Sequence, residues 1–324
     1  MRAAFMAAAS TRFRLKDLGA MSSALGAAVN QDLVAGTVTL SLERYIGDTA
    51  RRFDLHADNH WADIPAPLHQ VQECKAYTST DAEVSGHLDS YRAIVGVIVH
   101  VYTFCRPDMG YIASYLSSVS RPGPPHLRLA RRAMGYLART AALCLTYHRT
   151  STSSPMSMAF TPLDGEKEPD RTGLPHLPVD ADHGVSSTVS GWLFMLAGCA
   201  ISWAVRSNAS PSLSSSESEL YGLSQAVADL CISVNGMDEI GFIFDGPIPI
   251  FTDSRGARLL ASDCAAPART RHIHRRWYFC RWHVEEGKVK ITQIKGVNNP
   301  SNFLTKAVGG AHFAKDRAYS MGLR

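Results

Sequence analysis

Hydrophobic positions in the first 150 residues recur mostly at helical spacing. Thr37 to Leu40 form a β-branched and apolar run after Gly36, and Leu42, Tyr45 and Ile46 follow at helical intervals, so residues 25–54 read as a hairpin leading into a helix. Residues 55–80 are polar, contain Pro65 and Pro67, and read as a connecting loop. In residues 91–118, Ile94, Val97, Ile98 and Val101 share one face; Pro107 interrupts the run, 109–116 resume it, and Pro122, Pro124 and Pro125 stop it. Residues 126–147 predict an amphipathic helix with Arg128, Arg131, Arg132 and Arg139 against an apolar side of Leu129, Ala133, Tyr136 and Leu137. Residues 148–173 are polar, with Pro155, Pro162 and Pro169, and mark the best candidate for a domain boundary. No internal repeat is evident.

Beyond that boundary the pattern alternates between strand and helix. Residues 177–182 predict a strand, and 191–196 with 200–205 a hairpin pivoting on Ala197-Gly198. Residues 214–235 predict a strong helix. Ser214 and Glu217 form a capping-box pair, and Leu220, Leu223, Val227, Leu230 and Val234 follow at spacings of three and four. A strand at 248–252 ends at Asp253, a basic helix spans 271–286, a strand 288–294, and Pro300 opens a last helix at its favoured first position. This order describes a mixed sheet with helices packed on it.

Composition narrows the class. The chain has 324 residues, enough for about two domains. Apolar residues make up 45% and charged residues 19%, which suits a packed core rather than broad disorder. A net charge of +4 permits a nucleic-acid partner without arguing for one. The seven cysteines are scattered without a Cys-x-x-Cys pair, against a zinc ribbon or disulfide scaffold and in keeping with a reducing compartment. No apolar run reaches the ~18 residues of a membrane span, so the expectation is a soluble chain, intracellular (cytoplasmic or nuclear), not secreted and without a membrane partner. Residues 1–16 hold Arg2, Arg12, Arg14 and Lys16 among alanines with no acid, as a transit peptide would. A basic, alanine-rich start without a targeting role is the preferred reading.

Three acids fall on adjacent elements of the α/β pattern: Asp180 on the first strand, Asp253 at the end of a later one, and Glu219 early in the capped helix. Two residues along a helix turn about 200°, so Glu217 and Glu219 point apart. Glu217 serves the cap, whereas Glu219 shares its side with Leu223, Ala226 and Leu230, the side that should meet the sheet. A carboxylate there is costly unless it binds something. Three such carboxylates would suit two hard divalent cations, but from spacing alone turn-forming strand ends and a partly solvated glutamate are the commoner reading. Alternation does not choose between Asp180 and Asp182, which share a face.

VDADHG (179–184), SGWLFML (190–196), ISWAVRS (201–207), LSSSESELYGLSQA (213–226), PIFTDSRGA (249–257), RTRHIHRRWYF (269–279) and NPSNFLTKAV (299–308) occur in the order found in copia-type retrotransposon polyproteins, and resemble their ribonuclease H domain. Upstream, RFRLKDLG (12–19) and LGAAVNQDLVAGTVTLSLERYI (25–46) resemble the segment after the polymerase palm. YRAIVG (91–96), RPDMGYIASYLS (106–117) and HLRLARRAMGYLARTAALCLTY (126–147) resemble the connection to ribonuclease H. The resemblance implies an α/β fold with a ribonuclease H-like mixed five-stranded sheet and packed helices at 174–324. A mostly helical reverse transcriptase thumb or connection remnant at 1–150 would precede it, joined by a linker at 151–173, and the basic N-terminus would be an internal polyprotein segment.

By the same resemblance the catalytic residues are Asp180, Glu219, Asp253 and Asn302, with Asp180, Glu219 and Asp253 as ligands of two Mg2+ or Mn2+ ions. Asn302 stands where an aspartate is usual; it can still offer an amide oxygen to a metal or water, but the site loses one of four negative charges, which should weaken the second cation. His183, Ser186 and His274 replace a usual tryptophan, arginine and aspartate, and the first hairpin is short. No Tyr-x-Asp-Asp motif occurs, so the chain is not expected to polymerise DNA. The implied activity is two-metal hydrolysis of the RNA strand of an RNA/DNA hybrid; the alternative is an impaired remnant that only folds or binds nucleic acid. Further partners would be an intact reverse transcriptase or other retroelement proteins. Arg269, Arg271, Arg275, Arg276 and Arg281, with Trp277, Tyr278 and Trp282 interleaved, could contact phosphates or form a solvated helix face. His272, His274 and His283 read as structural or surface residues rather than a zinc site.

Overall fold

The computed structural model describes residues 10–14, 16, 19–55, 63–149, 157–159, 173–183, 188–208, 212, 214–255 and 274–323. In the N-terminal half, β1 (Ser23–Ala24), β2 (Ala27–Asp32) and β3 (Thr37–Ser41) form an antiparallel meander. Its second turn is closed by Asp32 Oδ1, which accepts the Val34 and Ala35 N–H groups at 2.9 and 2.8 Å. The expected helix follows as α1 (Glu43–Arg52).

Residues 55–80 are not all loop. α2 (Leu68–Ala76) starts directly after Pro67 and buries Val71 and Cys74, a face too short to stand out from its polar neighbours. α3 (Asp81–Phe104) begins ten positions before residue 91, where the helical pattern was expected to start, because Thr80 and Glu83 form a reciprocal capping box. A short 3-10 turn at Pro107–Met109 leads into α4 (Gly110–Ser118). Pro124 then opens α5 (Pro124–Arg139) instead of merely closing the helix before it. α5 ends eight residues short of Tyr147. Residues Leu145–His148 leave as β4 and pair antiparallel with β3, where β-branched and aromatic side chains suit the pleat.

The C-terminal half contains β5 (Ser157–Ala159), β6 (Leu177–His183), β7 (Thr188–Leu196), β8 (Cys199–Ser207), α6 (Ser215–Glu239), β9 (Ile243–Asp245), β10 (Ile248–Thr252), α7 (His274–Glu285) and β11 (Val289–Gln293). The expected final helix is split into α8 (Asn302–Thr305) and α9 (Gly310–Ser320), separated by residues 306–309. Five strands make one mixed sheet in the order β11-β10-β6-β7-β8: β6, β10 and β11 are parallel, while β7 and β8 continue antiparallel from β6. The β7–β8 turn sits on Ala197 and Gly198, both at positive φ, as the hairpin reading required. β5 pairs with β9, so a piece of the expected linker joins a small parallel ribbon; the rest of 151–172 and the start of the 271–286 helix lie outside the described residues.

Alternation along β7 divides the core in two. Trp192 and Phe194 face α6 and α7, with Leu177, Val179, Ile250, Leu223 and Val227. Leu193 and Met195 face the other way and join a core that runs without a break through Ile98, Met109, Leu116, Tyr136 and Phe303. The N-terminal helices thus cover the second face of the sheet. The seam carries polar ties as well: Trp203 Nε1 donates to Tyr102 O at 2.9 Å, and Thr146 N–H to Met321 O at 2.9 Å.

Candidate metal centre

The β6–β10 ladder is short. Its paired positions are Leu177 with Ile250 and Pro178 with Phe251, and Pro178 has no N–H with which to extend it. Asp180 and Asp253 each lie two residues past the last pair, on either side of the opening between the strands. Such openings beyond strand ends are where α/β sheets hold ligands. α6 brings Glu219 to the same place. Gly222, one turn along, lets the helix lie close: a Cβ there would meet Ser190 Oγ at 3.1 Å and Ala181 Cβ at 3.4 Å. Ser214 Oγ caps the helix by accepting the Glu217 N–H at 3.2 Å. Glu217 itself takes the Tyr221 hydroxyl at 2.9 Å and is not part of the acidic cluster.

One ligand oxygen from each of Asp180, Glu219 and Asp253 lies within 4.8 Å of the other two. Asp180 is 1% exposed, whereas Asp182 is exposed, which resolves the choice that alternation left open. Glu219 Oε2 is buried and has no hydrogen-bond partner. Burial, and then the Asp180 and Asp253 charges, push the Glu219 carboxyl up to about 9, and burial with Asp180 raises Asp253 as well. Three oxygen donors, one of them orphaned, are a set that could hold a hard divalent cation, and such a cation would bring these carboxylates back to their charged forms.

The fourth expected residue, Asn302, is buried near the cluster, with the nitrogen of its amide engaged. Its Nδ2 donates to Gly296 O at 2.6 Å, and Gly296 is the residue on whose Cα face Asp253 Oδ2 rests: a Cβ added there would meet that oxygen at 2.8 Å. Two neighbours that the sequence reading passed over act on the cluster directly. Thr305 Oγ1 donates to Asp180 Oδ2, and Lys306 Nζ lies 3.5 Å from the same oxygen. Lys306 is the cation that opposes the raised acids. The only sequence signal for the pair was its place after the apolar Phe303-Leu304 step. Asn299 Nδ2 holds the strand in register by donating to Val179 O at 2.8 Å.

The basic helix is divided in its duties. Trp277 is buried in the core, while Tyr278 and Trp282 are exposed. Arg276 stacks over Tyr221 at 4.0 Å, Arg281 pairs with Glu285 at 2.6 Å, and Arg275 is exposed. Arg269 and Arg271 lie outside the described residues. His283 is buried beside Cys231 Sγ, at 3.6 Å. Among the described residues no helix is long and apolar enough to cross a membrane.

Compared with known proteins, the chain is 27% identical over 303 residues to the retrovirus-related Pol polyprotein from transposon TNT 1-94 of Nicotiana tabacum, covering 92% of this chain and 21% of that one. It is 29% identical over 196 residues to a transposon Ty5-1 protein of Saccharomyces cerevisiae, covering 59% of this chain and 55% of that protein. The chain is a homologue of transposon Pol polyproteins. It spans about a fifth of the tobacco polyprotein's length and about half of the yeast protein's. Secreted RxLR effector protein 161 of Plasmopara viticola is 28% identical over 140 residues, 43% of this chain and 87% of the effector. No protein-family profile matches.

Proposed function

We propose that the C-terminal half is a ribonuclease H-like domain that hydrolyses the RNA strand of an RNA/DNA hybrid. The observation that carries this reading is the convergence of Asp180, Glu219 and Asp253 at the β6–β10 opening, with a buried glutamate oxygen left unpartnered. The five-stranded mixed sheet with α6 and α7 on one face, and the homology to transposon Pol polyproteins, support it.

When bound, two Mg2+ or Mn2+ ions supply an activated water and stabilise the departing 3′ oxygen. In this chain Asp180, Glu219 and Asp253 would hold them. Thr305 and Lys306 fix the rotamer of Asp180 by engaging one of its oxygens, which leaves the other free to face the cluster. Lys306 also offsets part of the repulsion among the carboxylates. Arg275 and Arg276, next to the exposed Tyr278, suit phosphate contacts along the hybrid, whose recognition would rest on backbone shape and 2′-hydroxyls. We assign residues 1–150 to a connection-type region and 174–324 to the ribonuclease H-like domain.

A second reading is favoured by Asn302. With an amide donating to Gly296 in place of a fourth carboxylate, the cluster has one fewer charge for a second ion, and the domain would fold and bind nucleic acid with little or no cleavage. Cleavage of a labelled RNA/DNA hybrid in Mg2+ or Mn2+ separates the two. The first reading expects metal-dependent cutting that Asp180→Asn abolishes. No cutting by well-folded wild type, restored by Asn302→Asp, would establish the second.

A further inference from the structure

We propose that the crevice between α2 and α5 is a binding site for a phosphate group, held by Arg131 and Arg132. Arg131 and Arg132 stand three and four positions after Arg128 on α5, so each neighbours it on the helix surface. They line a cavity of about 320 Å³ whose far wall includes Gln70 and Glu73 of α2. The arginines of this helix are not all in the same condition. Arg128 pairs with Glu73 at 2.6 Å and Arg139 with Asp63 at 2.9 Å. Among the described residues Arg131 and Arg132 meet no carboxylate, and Arg132 Nε is buried without a hydrogen-bond partner.

A guanidinium does not shed its proton to escape burial, so an orphaned buried N–H calls for an acceptor. Burial acts on Arg132 with no carboxylate to offset it. Three arginines against one glutamate leave an excess of positive charge in the crevice, which selects an anion. Two adjacent planar forks offer more donors than a carboxylate can use, and they match the several oxygens of a phosphate. Pro125 also lines the cavity. Pro124 and Pro125 have no N–H, so the donors come from the arginines and the Gln70 amide. The volume leaves room for the sugar or waters that accompany the phosphate.

The site lies in the N-terminal half and does not depend on the carboxylate cluster. The test uses the full chain in EDTA, so cleavage plays no part. Inorganic phosphate should raise the Tm of the wild type above that in chloride at equal ionic strength. Arg132→Gln and Arg131→Gln should lose the shift, Arg132→Lys should keep only part of it, and the exposed control Arg44→Gln should retain it. Binding of a labelled RNA/DNA hybrid then identifies the source. A loss of about tenfold in affinity, with a salt slope shallower by about one per arginine removed, assigns the phosphate to a nucleic-acid backbone. An unchanged hybrid affinity with a lost phosphate response assigns it to a free phosphate-bearing ligand. A wild type that ignores phosphate and binds the hybrid no better than the folded variants would overturn the proposal.

Discussion

Arg106 and Asp108 in the N-terminal half, and Asp180, Glu219 and Asp253 in the C-terminal half, are both groups of buried ionisable side chains, and only the first is neutralised from within. Arg106 and Asp108 are fully buried and meet in a two-bonded fork at 2.8 and 2.7 Å. Arg106 also donates to Thr140 O and Oγ1, Tyr136 OH donates to Asp108 Oδ2 at 2.7 Å, and Arg317 donates to Tyr136 OH at 3.0 Å. Each charged nitrogen of Arg106 and each oxygen of Asp108 has a partner, and the Arg106 guanidinium holds the Asp108 carboxyl below its usual range. The second group places three acids together with one half-exposed lysine, leaves a glutamate oxygen orphaned, and drives two carboxyls up. Burial is common to both; completeness is not. The first arrangement holds α5 to the turn before α4, and the second is one that a cation could complete.

The largest effect should come from breaking the complete cluster. Asp108→Ala strands a buried guanidinium and should cost about 3–5 kcal/mol in denaturant unfolding. Next, Glu219→Gln should do the opposite and stabilise the metal-free protein, by about 2–4 kcal/mol at pH 8, because the amide is neutral without the proton that Glu219 must take up on folding. The two regions also differ in the sign of their pH dependence. Asp108, depressed in the fold, lends stability above its unfolded value of 3.8, lost as acid protonates it. Glu219, raised from 4.5 to about 9, withdraws stability progressively as pH rises between those values, and Asp253 adds to the same trend. Metal-free unfolding from pH 5 to 9 should therefore show stability falling in the wild type and a flatter profile in Glu219→Gln. The smallest change concerns the support of Asp180. A Cβ at Gly191 would meet Leu304 Cβ at 2.6 Å, so Gly191→Ala should push α8 away at a cost of about 1–3 kcal/mol. Since α8 carries Thr305, with Lys306 next to it, calorimetric Mn2+ titration should show weaker cation binding in that variant.

Local devices were the most legible features of the sequence. Ser214 announced the start of α6, Ala197-Gly198 announced the β7–β8 turn, and helix geometry separated Glu219 from Glu217. Each depends on a few neighbouring residues. What was hidden depends on distant partners. β4 reads as the end of a helix until β3 offers it an edge, and α2 is a nine-residue helix whose buried face has only two members. Nothing near Lys306 shows that it will lie against Asp180, 126 positions away, nor that Asn302 will spend its amide on Gly296. The same holds for Arg132, whose missing partner becomes visible only when α2 closes the crevice.

The most direct measurement is the stability of wild type and Glu219→Gln at pH 8, in EDTA and in saturating Mn2+. If the carboxylates are a cation site, the variant is the more stable without metal, Mn2+ raises the wild type, and the order reverses. A variant that is less stable under both conditions, or a wild type that Mn2+ leaves unchanged, would contradict the account.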